Sequence, residues 1–210
     1  MRSFRVLYDE CLQRQPLLTK MATSSVFFGL GDRLAQRVEK LGKTDQELSE
    51  MESNCIVQEG RVLSESTAKT VRMMVWGGLL LSPMVHNWHN LLERVFVGTG
   101  KAVVAKKVVA DMVFIAPQIP IWFLTSTGLM AGKHLRQAFD ESVEKQPVML
   151  AASYTLWPAV NCISYSVVPV QYRLLFGNVV NLGWSSFLSY MTNHPVPTLP
   201  SLKLPTAPLE

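Results

Sequence analysis

Formal charge is scarce in this chain and withheld unevenly. Charged residues make up 17% of its 210 residues, against about 25% in ordinary soluble domains. From 146 to 202 the one formal charge is Arg173, and two further windows, 73–92 and 112–132, carry none. A helix rises about 1.5 Å per residue, so roughly 20 such residues match the ~30 Å hydrocarbon layer of a bilayer. Windows of this kind are foreign to a water-soluble domain and predict a polytopic membrane protein.

Other absences narrow the function. Cys11, Cys55 and Cys162 have no CxxC spacing and cannot all pair, which excludes a disulfide framework or zinc knuckle and leaves packing residues or loop thiols. The net charge of +4 is spread singly rather than on one aromatic-interleaved face, so nucleic acid is not an expected partner. No nucleophile elbow, phosphate loop, paired acid and base carboxylates, or haem or nucleotide site is visible. The chain is therefore expected to be no enzyme and to need no cofactor. Asp9, Glu10 and Arg14 interrupt any secretory signal core, and the two acids also count against a transit peptide. Pro208, Leu209 and Glu210 are not a peroxisomal address.

The charges that are present alternate with the apolar windows. Glu39, Asp45, Glu47, Glu50, Glu52, Glu59 and Glu65 gather between the first and second windows. The predicted fold is all-α: a polytopic transmembrane helical bundle, with four to five membrane helices preceded by a short amphipathic helix. In residues 1–16, Phe4, Leu7, Tyr8, Cys11 and Leu12 recur at i, i+3, i+4, i+7 and i+8, predicting a helix lying at the membrane surface until Pro16. Membrane helix one covers 17–38, although Asp32, Arg33 and Arg37 in its second half must pair, face a polar interior or sit near an interface. A polar loop, in part helical, covers 39–70. One membrane domain occupies 71–190: helices over 71–92 and over 108–132, kinked at Pro117 and Pro120, a charged link at 133–147, a helix over 148–168 closed by Pro169, and a shorter apolar stretch over 174–190. A proline-rich tail covers 191–210. The lysine and arginine bias puts the N-terminus and the 94–107 link on one side.

Lys107 and Asp111, one helical turn apart, are read as a pair, and with Asp32 and Arg173 they form the candidate pore lining or gate. Structural interhelical pairs and interface anchors remain the blander reading of each. His86, His89 and Glu93 fall at i, i+3 and i+7, a weak metal pattern; interfacial histidine beside Trp88 is the better reading, and no metal site is expected. Gly128 and Gly132 form a small-xxx-small step, and Gly29, Gly31, Gly77 and Gly78 offer close helix approach.

The spacing of the sparse polar and aromatic residues resembles the Mpv-seventeen family, which includes the twenty-two kilodalton peroxisomal membrane protein and the mitochondrial protein Sym-one. The resemblance runs through Tyr8, Leu12, Pro16, Thr19, Gly31-Asp32 and Gln36, then Lys69-Thr70, Arg72, Gly77, Pro83, His86 and Trp88, then Lys107, Asp111 and Pro117. It is most specific at Trp157-Pro158, Val168-Pro169, Arg173, Asn178, Trp184 and Phe187-Leu188-Ser189. Departures include Ser82, His89, Met112, Asn161, Ser164-Tyr165 and Ser185. The resemblance implies a small multi-helix protein of an organelle membrane, the mitochondrial inner membrane ahead of the peroxisomal one, linked to mitochondrial homeostasis and expected to be a channel for ions or small solutes. The lipid bilayer is the implied partner, homo-oligomerisation a way to enclose water, and the solute is not identified. A non-conducting scaffold is the rival, and metal chemistry at His86, His89 and Glu93 the third reading.

Overall fold

The computed structural model describes residues 4–41, 65–98 and 100–193. The middle of the polar loop and the tail beyond 193 lie outside the described residues. Every regular element among the described residues is a helix. Helix α1 (Phe4–Arg14) is followed by α2 (Pro16–Leu41), with Pro16 at the first helical position, where its missing N–H costs nothing. Helix α3 (Glu65–Val75) passes through a π-helical segment, Trp76–Leu81, into α4 (Ser82–Val95). Helix α5 (Lys101–Ala110) passes through a second π segment, Asp111–Ile115, to α6 (Gln118–Met130). Helices α7 (Leu135–Val167) and α8 (Arg173–Asn193) complete five rods.

Side-chain pairs fix how the rods run. Lys20 meets His86 and Ser25 meets Met74, so α2 and the α3–α4 rod are antiparallel. Ser24 bonds Asn178 and Gly31 abuts Ser185, so α2 and α8 run parallel. Thr125 meets Ser142 and Pro117 meets Gln146, setting α6 against α7 in opposite senses. The bundle therefore has a Glu93 end, with α1 and the turns at 96–100 and 168–172, and a Gly132 end. The amino-terminal helix and the 94–107 link share the Glu93 end: the Asp9 carboxylate accepts from the Tyr172 hydroxyl, and Tyr8 stacks on Tyr172 with ring centroids 6.4 Å apart. Tyr8 and Leu12 of α1 are buried against the bundle, whereas Cys11, expected on the same apolar face, is exposed.

The α5–α6 rod bends by 41° between Ile115 and Gln118, where Pro117 removes an amide donor and Pro120 a second one. The link at 133–147 differs from the expected loop. After His134 the chain is already helical from Leu135, because the stretch alternates strong helix formers with a small inward face: Ala138 packs on Gly128 and Ser142 reaches Thr125. Gly132, expected in a packing step with Gly128, instead has φ +87° and nothing near its Cβ position. It closes α6, with the Lys133 amide donating to Gly128 O at 3.1 Å.

Burial in this bundle does not follow polarity: beside apolar side chains such as Phe28, Trp76 and Phe123 it takes in many polar ones. Asp32, Lys107, Arg173, Asn178, Ser142, Ser153 and Ser185 are among the buried polar groups, while Leu30, Leu34, Leu79, Leu80, Val109, Val113, Phe114, Trp122, Ile163 and Val179 lie exposed on the rods. Among the described residues no single helix is long and apolar enough to cross a membrane, and the bent pair Lys101–Ile115 and Gln118–Met130 passes that test together. The charges that spoil the test in α2 do not all face outward, since Asp32 and Lys20 are buried.

Gly77 and Gly78 let α2 approach the first π segment. A Cβ on Gly78 would lie 1.9 Å from Ser25 Oγ and 2.9 Å from Met21 O, and one on Gly77 2.4 Å from the Phe28 ring. Gly78→Ala is expected to destabilise the fold by about 1–3 kcal/mol through overpacking. Gly183→Ala, where nothing lies within 4 Å, should be neutral or stabilising by up to about 1 kcal/mol. Unfolding midpoints of the two purified variants check this.

Candidate functional site: two cavities and the buried charges beside them

The turn at 96–100 and the second π segment bring a set of charges together at the Glu93 end. Glu93 Oε1 accepts from Lys107 Nζ at 2.6 Å and also from an Arg173 guanidinium nitrogen. Lys107 is wholly buried and reaches Gly98 O at 3.4 Å as well. Arg173 Nε donates to Val168 O at 3.0 Å, and its guanidinium lies 4.9 Å from the centre of the Tyr165 ring. A carboxylate on α4 thus ties the last turn of α5 to the start of α8.

Asp111 sits one turn further in and is held differently. The Trp88 indole N–H donates to its Oδ1 at 2.5 Å, while Asn161 at 2.9 Å and the Tyr165 hydroxyl at 2.5 Å donate to its Oδ2. The expected Lys107–Asp111 pair is therefore not formed. Helical side chains lean toward the N-terminus of their helix, so the long Lys107 stem swings back to Gly98 and Glu93, leaving Asp111 to donors from α4 and α7. The metal pattern also dissolves: His86 contacts Lys20 Nζ at 3.0 Å and Asn90 at 3.2 Å, His89 meets the Tyr165 ring edge-on at 5.9 Å, and Glu93 is taken by the two cations. Among the described residues no group of three such side chains converges.

A cavity of about 120 Å³ opens beside this network, lined by Asp111, Arg173, His89 and Asn161 at one end and by Trp76, Phe28, Phe123, Met149 and Trp157 deeper in. A second, of about 230 Å³, lies at the Gly132 end among Asp32, Lys69, Arg72, Lys133, Glu141 and Lys145, with Met73 and Leu124 at its floor. Phe28, Met73, Trp76, Phe123, Leu124 and Met149 belong to one packed cluster. That cluster is the partition between the cavities.

Of the four pore candidates, Asp111 and Arg173 line the first cavity, Asp32 lines the second, and Lys107 lines neither. Asp32 Oδ2 accepts from Thr70 Oγ1 and Gln36 Nε2, both at 2.7 Å. Gly31 packs on Ser185, and Trp184 stands edge-on to Trp157 at 6.0 Å. Pro83 closely follows the first π segment inside the continuous α3–α4 rod, Pro158 is accommodated inside α7, and Pro169 follows that helix's end. Sequence reasoning missed Glu93 as a shared ion-pair acceptor, Tyr165 and Asn161 as partners of Asp111, and Lys20 as a buried cation. In the sequence Glu93 reads as one member of a weak metal pattern, although it is an acid at the end of an uncharged window, opposite a basic link.

A family model described as the Mpv17 / PMP22 family matches residues 128–189. Over nearly its whole length the chain is similar to Protein SYM1 of Gibberella zeae, 33% identical over 196 residues, which cover 92% of this chain and 99% of that one.

This chain belongs to the Mpv17 / PMP22 family.

A second family member, Protein sym1 of Aspergillus oryzae, is 32% identical with 89% and 96% of the two chains covered. The Mitochondrial inner membrane protein Mpv17 of Xenopus laevis is 26% identical, with 89% and 95% covered. No solved structure matches.

Glu93→Ala leaves two buried cations without their shared acceptor, a change worth about 3 kcal/mol or more. Glu93→Ala is thus expected to unfold well below the wild type, and adding Lys107→Met is expected to recover part of the loss. Denaturant unfolding of the single and double variants supplies the comparison.

Proposed function

We propose that this protein crosses the mitochondrial inner membrane as a five-rod bundle and forms a gated pathway for ions or small solutes, in support of mitochondrial homeostasis. On this reading it moves solutes and catalyses no reaction. The observation that carries it is the pair of cavities, one beside the buried charges near the Glu93 end and one at the Gly132 end, that share one apolar cluster as their wall, Phe28, Met73, Trp76, Phe123, Leu124 and Met149. The exposed apolar side chains and the buried, partnered polar ones support a lipid surround: an apolar exterior is costly in water but not in hydrocarbon. Length agrees, since α8 with 21 residues rises to about 30 Å. At 33 residues α7 would reach about 50 Å, so its first turns project beyond the hydrocarbon at the Gly132 end. The similarity to the Mitochondrial inner membrane protein Mpv17 of Xenopus laevis supports the choice of membrane.

The close satisfaction of the buried charges favours a second reading, a non-conducting scaffold in which Glu93 and Asp111 only lock helices together. The peroxisomal membrane is the alternative residence. Reconstitution separates pathway from scaffold. Liposomes holding the purified chain should release a small charged solute; Phe123→Ala, which thins the partition, should speed release several-fold, and Asp111→Asn should lower the preference for cations over anions. Absence of release in every lipid tried, with the protein folded, returns the chain to the scaffold reading.

A further inference from the structure

The two cavities differ in chemistry, and the one at the Gly132 end has a surplus of positive charge. Four cations line it, Lys69, Arg72, Lys133 and Lys145, against three carboxylates, Asp32, Glu65 and Glu141. The carboxylates are largely committed: Asp32 to Thr70 and Gln36, Glu141 to Lys133 and Gln137. Glu65 meets Arg72 through a single nitrogen at 3.4 Å, long beside the 2.7–2.9 Å of a charge-assisted bond, so the guanidinium fork is mostly unspent. Lys69 has no carboxylate within 4.0 Å among the described residues. Burial pushes the Lys145 ammonium below the usual lysine range, and the neighbouring Lys133 adds to the fall against the opposing pull of Glu141 and Glu144. Cations gathered on one concave surface repel one another and stabilise an anion placed between them.

We propose that this cavity binds a multivalent anion of the phosphate class through Lys69, Arg72, Lys133 and Lys145. A volume of about 230 Å³ holds more than a bare halide. Cations arriving from α3, from the turn after α6 and from α7 match the several oxygens of a phosphate group, and Arg72 supplies a planar fork suited to two of them. As a statement about one mouth of the pathway, the inference rests on the reading above, but binding is measured without conduction. The phosphate is free in solution or carried on a lipid headgroup: both present the same charged oxygens, and the test below separates them.

The test uses the full chain in nanodiscs, with thermal unfolding followed against pyrophosphate and against sodium chloride of equal ionic strength. Pyrophosphate should raise the unfolding temperature beyond the salt control. Lys69→Gln, which removes a partly exposed charge, should raise the half-saturating concentration about tenfold, and Glu65→Gln, which frees Arg72, should lower it several-fold. Lys101→Gln at the Glu93 end should leave it unchanged. Nanodiscs of phosphatidylcholine alone are compared with discs holding a tenth of phosphatidic acid: if the headgroup is the natural occupant, the acid-containing discs abolish the pyrophosphate response and show the same dependence on Lys69. No shift beyond salt from either source, or identical behaviour of Lys69→Gln and Lys101→Gln, overturns the proposal. Liposomes that fail to leak while pyrophosphate still binds would remove the pathway alone; conduction without any pyrophosphate response would remove the anion site alone.

Discussion

One carboxylate holds three segments together. Glu93 accepts from both Lys107 and Arg173, and each of these cations would otherwise stand buried without a counter-charge, at a cost of several kcal/mol. The rest of the Glu93 end follows from that shared acceptor. With Arg173 fixed, its guanidinium lies over the Tyr165 ring; with Tyr165 fixed, its hydroxyl is aimed at Asp111. Asp111 then gathers Trp88 and Asn161, joining α4 to α7 through the second π segment. Apart from the cation–π contact of Arg173 with Tyr165, each link is a hydrogen bond to a charged group, and a satisfied network of this kind is strong while a broken one is costly.

The same economy explains why polar residues line the inside. Under the proposed lipid surround a rod gains nothing by hiding leucine, and much of the helix contact here is made by small residues and interhelical hydrogen bonds. Gly77 and Gly78 bring the first π segment against Phe28 and Ser25, Gly31 meets Ser185, and Ser24 bonds Asn178. The apolar material that does pack inside, Trp76 edge-on to Phe123 at 5.4 Å with Phe28 and Met149 around them, is concentrated at mid-bundle. It separates two polar mouths of unlike character, one around a carboxylate and a guanidinium among indoles, the other crowded with lysine and arginine.

Much of this architecture was legible in the chain. The uncharged windows marked most of the rods, Pro117 and Pro120 marked a bend, and the spacing of Trp88, Asp111, Trp157 and Arg173 carried the family. What escaped was of two kinds. Local rules misread the charged stretch at 133–147, where the helix is continued by burial of Ala138 and Ser142 against α6 rather than by any apolar run. Pair rules misread Lys107, because spacing on one helix says nothing of a better acceptor on another; Glu93 lies 14 residues upstream and was visible only as one ligand of an unconvincing metal pattern. Asp32, Asp111 and Arg173 were singled out because charge in an oily segment is conspicuous. Tyr165 and Asn161 were not, because a phenol and an amide are ordinary until a carboxylate is placed between them.

The two π segments have a consequence for the length of the chain. In each, an amide donates five residues back, Ser82 to Gly77 and Ala116 to Asp111, which lodges one surplus residue in the turn. Winding the same residues as ordinary α-helix would drive that surplus residue into the helical register and rotate everything downstream by about 100°. Beyond the second seam, such a rotation would carry Phe123, Leu124 and Thr127 off the inner face together. The tally of residues between seam and partition is therefore as binding as their identity, and a one-residue deletion there would act as a twist on the whole rod rather than as a local gap.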